Sequence, residues 1–143
     1  MAYDQFGSYS KTPGSTATYN WVEKNIKKFI NQEEVDANKI ILGVPFYTRL
    51  WKIKDNEVVN NSTVSMKNEE KYSSTDKKWL EDEKQYYVEY EKNGYTYKMW
   101  VEDEKSIGYK LDLIKKYNLS GVAFWQKGFE DDSIWNMVKS KLF

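Results

Sequence analysis

Two short segments of this chain are apolar on every face, and they limit its fold more than any other feature. Residues 40–46 read IILGVPF, and residues 121–126 read GVAFWQ. A strand with one solvent-exposed face alternates apolar and polar residues. A strand of a parallel sheet is covered on both faces and is apolar throughout. Both segments are therefore predicted to be buried parallel strands. Pro45 should close the first, because proline cannot donate to the ladder.

Amphipathic segments alternate with these strands. Helices are predicted over residues 19–32, 104–117 and 131–142, and Asn118 marks the expected end of the second. Their expected buried side chains recur at helical spacing: Val22, Ile26, Phe29 and Ile30; Ile107, Leu111 and Ile114; Trp135, Val138 and Leu142. This alternation of strands and helices predicts a parallel α/β fold with right-handed crossovers.

The remaining segments complete the predicted order. Residues 1–6 are expected to form a short strand that runs into a loop. The middle of the chain is polar and aromatic, and Asn93-Gly94 lies between residues 86–90 and 95–100, which predicts a hairpin with a tight turn. Three parallel strands leave two open edges, so the sheet is expected to belong to a larger one or to self-associate.

Composition removes several classes of function. Lysine plus arginine and aspartate plus glutamate each number 22, so we expect neither nucleic acid nor an anionic membrane as partner. With no cysteine or histidine, no metal or cofactor site is expected, and acid–base chemistry falls to carboxylates or tyrosines. The start MAYDQFGSYS lacks the pattern of an export signal. Aromatic residues form 17% of the chain, enough for either a core or a sugar-stacking surface.

Three segments resemble a known family in the family's own order. Residues 1–5 (MAYDQ), 43–49 (GVPFYTR) and 121–126 (GVAFWQ) resemble strands six, seven and eight of the chitinase-like family-18 glycoside hydrolases, which are (β/α)8 TIM barrels. The branch with the spore-cortex peptidoglycan hydrolases is most similar. The resemblance implies strands six and seven with the intervening helix in residues 1–46. It places an α+β insertion in residues 47–101, with a hairpin at 86–100, and the last barrel helices and strand eight in 102–143.

The resemblance also implies a site and a reaction. Family members cleave β-1,4-linked N-acetylglucosamine polymers, chitin or peptidoglycan, by substrate-assisted retention. Tyr3 would hold the acetamido group, and Asp4 would bind hydroxyls or steady the positively charged intermediate. Trp125 would form the floor under the reacting sugar, Tyr47 and Arg49 would contact its neighbour, and Gln126 would add a hydrogen bond.

Departures from the family pattern shape the functional expectation. The family's catalytic DxxDxDxE pattern, whose glutamate donates the proton, does not occur in this chain, so the isolated chain is predicted to be inactive. Gln126 stands where chitinases commonly carry glutamate, and Thr48 where glycine is usual, which leaves the choice between chitin and peptidoglycan open. The resemblance suggests a bacterial cell wall, spore or extracellular location.

Each assignment has an alternative. Trp125 could belong to the core, Tyr3 and Asp4 to a fraying terminus, and Arg49 to an ion pair with Glu102 or Asp103. The acidic runs at 81–83 and 102–104 are interpreted as solvated faces. For the whole chain, the alternative functions are a non-catalytic carbohydrate-binding module and a structural module that forms homo-oligomers through its open sheet edges.

Overall fold

The computed structural model describes residues 1–73 and 76–143, which form a mixed α/β fold. Short 3₁₀ turns occupy Ala37–Lys39 and Met66–Lys71. The remaining elements are α1 (Tyr19–Asn31), β1 (Ile41–Pro45), β2 (Tyr47–Lys54), β3 (Glu57–Ser65), β4 (Lys78–Leu80), β5 (Gln85–Lys92), β6 (Tyr95–Val101), α2 (Glu104–Tyr117), β7 (Gly121–Trp125) and α3 (Ile134–Leu142).

The two apolar segments form a parallel pair, as predicted. β1 and β7 run side by side, and Pro45 lies opposite Trp125 where both strands end. The helices cover one face of this pair and build the main core, whose members include Val22, Ile26, Val44, Phe46, Ile107, Leu111 and Ile134. The prediction of burial on both faces is confirmed for β1, where Leu42 to Pro45 are buried and only Ile41, at the strand's start, is exposed (60%). It is wrong for β7, which is only partly buried because no second layer covers its other face within the described residues.

A five-stranded antiparallel sheet occupies the middle of the chain, in the order β3-β2-β6-β5-β4. Asn93 and Gly94 turn between β5 and β6 with φ angles of 52° and 75°, as the Asn-Gly pair predicts. Asp55 and Asn56 make a second tight turn, between β2 and β3, with φ angles of 51° and 65°. A separate apolar cluster lies on one face of this sheet and comprises Leu50, Val64, Val88, Met99 and Val101.

The strand predicted for residues 1–6 is wrong. Only one backbone hydrogen bond, from Ala2 N to the carbonyl of Gly43 at 2.8 Å, ties this segment to β1. The N–H groups of Gln5 and Phe6 bond instead to carbonyls of the loop that follows, at Thr16 and Ser15. Gly43 allows the start of the chain to approach β1 closely, since a Cβ at this position would lie 3.0 Å from the Cα of Met1.

The three predicted helices are present, and one of them begins later than predicted. α2 begins at a capping box between Asp103 and Ser106 and ends at Asn118, which is left-handed with a φ of 53°, as predicted. α3 begins at Ile134, later than predicted, because Asp131 accepts a hydrogen bond from the backbone of Ser133 in a preceding turn. Within the described ranges, no helix is long and apolar enough to cross a membrane.

Two aromatic residues predicted to be buried are not. Phe29 is 51% exposed and Trp135 is 44% exposed, although both lie at the predicted helical spacing. Phe29 lies at the edge of the α1 stripe, where only Val22 and Ile26 reach full burial. The ring of Trp135 packs edge-on against Phe46 with one side still open to solvent.

A buried polar network joins the antiparallel sheet to α2. Lys110 Nζ lies 2.6 and 2.8 Å from the two carboxylate oxygens of Glu102, and both side chains are fully buried. Gln85 donates to Glu102 at 2.5 Å, and Ser106 donates to it at 3.1 Å. Burial raises the pKa of Glu102 to about 7, although Lys110 and Ser106 lower it. The interpretation of residues 102–104 as a solvated face is therefore wrong for Glu102.

Candidate functional site

A shallow cavity of about 320 Å³ lies where β1 and β7 end. The carboxyl ends of neighbouring parallel strands meet at one edge, and ligand sites in such sheets are built there. The cavity is lined by Asp4, Tyr47, Arg49, Thr63, Trp125, Gln126 and Phe129. It thus brings together five of the six predicted site residues. The sixth, Tyr3, packs edge-on against the Tyr47 ring with 6.2 Å between centroids.

Asp4 is held from two sides. The Tyr47 hydroxyl donates to Asp4 Oδ1 at 2.8 Å, and Arg49 Nη2 lies 3.7 Å from the same oxygen. The Tyr9 hydroxyl donates to the Asp4 backbone carbonyl at 2.9 Å. Asp4 has a φ of 56°, a left-handed conformation that aspartate tolerates better than most residues. These contacts fix the carboxylate at the mouth of the cavity, which contradicts the alternative of a fraying terminus.

The two tyrosines beside Asp4 keep their protons at neutral pH. Burial raises the pKa of Tyr47 well above its usual value, and the hydrogen bond to Asp4 raises it further. Burial and the charge of Asp4 also raise the pKa of Tyr3. A neutral phenol can both donate and accept a hydrogen bond. The site therefore presents uncharged hydroxyl groups around one carboxylate.

Arg49 is 8% exposed and carries the positive charge of the site. Its Nη1 donates to Asn61 Oδ1 at 2.7 Å, while its Nε is buried without a partner among residues 1–73 and 76–143. The alternative pairing of Arg49 with Glu102 or Asp103 is wrong. Arg49 lies beside Asp4, Glu102 forms its ion pair with Lys110, and Asp103 caps the start of α2.

Asn61 is a site residue that the sequence analysis missed. It accepts from Arg49 and donates from Nδ2 to the carbonyl of Ser8 at 3.3 Å, so it links the guanidinium to the loop beside Asp4. β2 and β3 place Arg49 opposite Thr63 and Trp51 opposite Asn61. The Asp55-Asn56 pair is the sequence signal that could have predicted this contact. A tight turn there makes residues 57–65, which include Asn61, the antiparallel partner of the strand that carries Arg49.

Trp125 presents its indole to solvent at the end of β7. The side chain is 53% exposed, which contradicts its alternative placement in the core. Its backbone carbonyl accepts from Phe46 N at 2.6 Å, and the peptide bond to Gln126 is cis. An exposed flat indole can stack on the C–H face of a sugar. The sugar contact itself stays a prediction, as do the roles of the other cavity residues.

The part of the chain that the structure describes holds no cluster of three or more histidine, cysteine, aspartate or glutamate side chains arranged to bind a metal ion. The cavity residues themselves offer hydrogen bonds, one ion pair between Asp4 and Arg49, and an exposed indole for stacking.

Comparison with known proteins identifies the family. The sequence model of the glycosyl hydrolases family 18 matches residues 1–130. The chain belongs to this family. Its match to the family and to the relatives below makes it a C-terminal part of a family-18 enzyme.

Three relatives illustrate the match. The uncharacterized glycosylase YvbX of Bacillus subtilis (strain 168) is 29% identical over 143 residues, which cover 97% of this chain and 40% of YvbX. The chitinase of Chromobacterium violaceum has a TM-score of 0.86 and 25% identity, covering 99% of this chain and 44% of the chitinase. The spore cortex-lytic enzyme SleL of Bacillus cereus shares the fold, with a TM-score of 0.86 at 19% identity, covering 100% of this chain and 34% of SleL.

The chain thus spans less than half the length of each of these three relatives.

Proposed function

We propose that this chain forms the sugar-binding C-terminal part of a family-18 glycoside hydrolase that cleaves β-1,4-linked N-acetylglucosamine polymers. The observation that carries the proposal is the cavity, in which Asp4, Tyr47, Arg49 and Gln126 surround an exposed Trp125. An aromatic floor with a few convergent polar groups is the usual construction of a sugar site. The names of the chitinase and of the cortex-lytic enzyme support chitin or peptidoglycan as the polymer.

In the proposed reaction the substrate's own acetamido oxygen attacks the anomeric carbon, so that no protein nucleophile is needed. Tyr3, whose phenol stays protonated, holds the acetamido group. Asp4 stabilises the positive charge that develops on the substrate. Trp125 stacks beneath the reacting sugar, Tyr47 and Arg49 contact the adjacent one, and Gln126 binds a hydroxyl.

We assign residues 1–46 to the positions of barrel strands six and seven with the helix between them, where residues 1–6 follow the path of strand six beside β1 without regular strand pairing. Residues 47–101 are assigned to the insertion, and residues 102–143 to the last helices and strand eight. The parallel pairing of β1 with β7 and the separate antiparallel sheet over β2 to β6 support this division. The open side of β7 is then the edge at which further barrel strands would pair.

The isolated chain is proposed to be inactive. The sequence has no DxxDxDxE pattern, and among the described cavity residues Asp4 is the only carboxylate. Asp4 accepts a hydrogen bond from Tyr47 and lies beside Arg49, so it is placed as an acceptor rather than as the proton donor to the leaving oxygen. Loss of a general acid lowers rates by about 100-fold to 10,000-fold.

Two measurements on the purified chain test the proposal. The first is release of fluorophore from a 4-methylumbelliferyl chito-oligosaccharide, for which we expect no turnover. The second is titration with chitotetraose, followed by tryptophan fluorescence. Trp125→Ala should weaken binding about tenfold, because the stacking surface is lost. Phe29→Ala is the matched control, since Phe29 is 51% exposed on α1 and lies outside the cavity.

The outcomes separate the proposal from its alternatives. Binding that depends on Trp125 without turnover supports the sugar-binding role. Turnover would contradict the assignment of the general acid to residues outside this chain. If the chain bound no sugar but sedimented as a dimer, the alternative of a self-associating module would stand. One observation favours that alternative: β7 pairs only with β1 within the described residues.

A further inference from the structure

The antiparallel sheet carries tyrosines and lysines at the end remote from the cavity. Lys52 lies opposite Tyr97, Tyr97 lies opposite Tyr90, and Lys92 lies opposite Tyr95. Opposed residues, and residues two apart on one strand, share a face. This common face is called the lysine–tyrosine strip and consists of Lys52, Lys54, Tyr90, Lys92, Tyr95 and Tyr97.

The rings of the strip are held in place. Tyr90 and Tyr97 stack with 5.1 Å between centroids and 10° between ring planes, and both pack against the apolar cluster of this sheet. Tyr95 lies beside them and is half-buried. Lys52 Nζ lies 3.8 Å from the Tyr95 centroid, and Lys54 Nζ lies 5.8 Å from it. Aromatic rings fixed in this way lose little conformational entropy when a ligand stacks on them.

The two acidic side chains of β5 point away from the strip. Glu89 and Glu91 lie on the opposite face, where Glu89 pairs with Lys98 at 3.5 Å and Glu91 accepts from Thr96 at 2.5 Å. Glu57 lies opposite Lys54 in register. Even so, within residues 1–73 and 76–143 no carboxylate oxygen lies within 4 Å of the ammonium group of Lys52, Lys54 or Lys92. The strip therefore carries three lysines that make no direct ion pair within the described residues, on a chain without net charge.

We propose that the lysine–tyrosine strip binds a carboxylate-bearing glycan outside the cavity. Tyrosine rings suit the C–H faces of pyranose rings, and the lysines suit carboxylates spaced along an acidic polysaccharide. The strip is separate from the cavity: Arg49 is the cavity residue of β2 nearest to Lys52, three residues before it, about 10 Å along the strand and on the opposite face of the sheet. The proposal rests on the proposed carbohydrate partner, but not on the residues of the cavity.

Affinity electrophoresis in native gels tests this site. One gel contains hyaluronan, an N-acetylated glycan with a carboxylate in every disaccharide, and the other contains neutral glycol chitin. The full chain should be retarded by hyaluronan. For the variant Lys52→Gln/Lys54→Gln, the affinity for hyaluronan calculated from the retardation should be about tenfold weaker, because two lysines can no longer pair with carboxylates of the glycan. Its retardation by glycol chitin should be unchanged. Circular dichroism checks that the variant is folded.

The matched control is Lys24→Gln/Lys115→Gln, which removes the same charge from exposed positions on α1 and α2. Equal loss of hyaluronan retardation in the control would overturn the proposal, as would the absence of retardation of the unmodified chain. Equal retardation by single-stranded DNA would also overturn it, because the strip would then be a general polyanion surface. Loss of glycol chitin binding alone, with hyaluronan binding kept, would count against the cavity and leave the strip standing.

Discussion

At the scale of single residues, the orientation of Arg49 depends on Asn61. The guanidinium already has a buried Nε without a partner among the described residues, so its bond from Nη1 to Asn61 is the main restraint on that side. Asn61→Ala should lower the free energy of unfolding by about 1–3 kcal/mol, because a second buried donor loses its acceptor. It should also weaken chitotetraose binding, because Arg49 is no longer held beside Asp4. Urea unfolding and fluorescence titration measure the two effects.

Two controls accompany Asn61→Ala. Asn61→Asp keeps an acceptor for Arg49 but loses the donor to the Ser8 carbonyl, so it should lose less stability and less affinity than Asn61→Ala. Ser62→Ala alters the exposed neighbour on β3 and should change neither. If Asn61→Asp lost as much affinity as Asn61→Ala, a positioning role through Arg49 would be ruled out.

The predictable residues are those whose role follows from nearby sequence or from the family resemblance. Asp4, Tyr47 and Trp125 lie in segments that resemble the family, and the cavity brings them together. Asn61 could not be predicted, because its contact to Arg49 depends on a hairpin that was not recognised. Glu102 was misread as part of a solvated acidic run because its partner Lys110 lies eight residues away, beyond the spacing at which helical ion pairs are normally sought.

At the scale of elements, the start of α2 is the best-defined local structure. Asp103 accepts from Ser106 N at 2.8 Å, and Ser106 Oγ accepts from Asp103 N at 3.0 Å. Asp103→Ala should destabilise the protein by about 1 kcal/mol, because an N-cap is lost at the junction of β6 and α2. Asp103→Asn keeps a capping oxygen and should lose much less. Urea unfolding measures both, and equal losses would show that charge rather than capping is the cause.

The elements differ in how strongly the sequence specifies them. β1 and β7 are apolar throughout, and the turn between β5 and β6 has the Asn-Gly pair, so both features could be predicted. β3 could not, because it is an edge strand with mostly exposed, polar side chains and no alternation of apolar and polar residues. The first six residues looked like a strand because they contain apolar side chains. Their backbone groups bond instead to the loop at Ser15 and Thr16, a long-range contact that local patterns do not encode.

At the scale of the whole molecule, the buried network around Glu102 connects parts that are distant in sequence. Ser15, in the loop after Asp4, donates to Gln85 on β5 at 2.6 Å. Gln85 donates to Glu102, and Lys110 of α2 pairs with the same carboxylate. The loop beside the cavity, the antiparallel sheet and the helix layer thus meet at one charge pair from which solvent is excluded. Such a pair contributes little net stability when intact, but removal of one partner is strongly destabilising.

The last prediction follows from that asymmetry. Lys110→Met leaves the Glu102 carboxylate buried without its cation, so the free energy of unfolding at pH 8 should fall by about 3–5 kcal/mol. The pKa of Glu102 is raised to about 7 in the folded chain, above that of the unfolded carboxyl, and loss of Lys110 raises it further. The folded state therefore holds the proton more tightly, and stability increases as the pH falls through this range.

The free energy of unfolding that Lys110→Met loses relative to the unmodified chain should therefore be largest at pH 8 and become smaller toward pH 5. Urea unfolding at a series of pH values measures this difference. Glu102→Gln/Lys110→Met has no ionisable group at these positions; the amide oxygen of Gln can still accept from Gln85, and its NH2 group can donate to the Ser106 hydroxyl. It should recover much of the lost stability at pH 8 and lack this pH dependence. If Lys110→Met lost the same free energy of unfolding at every pH from 8 to 5, Glu102 would carry no buried charge. The network could then not join the sheet to α2 in the way its contacts indicate.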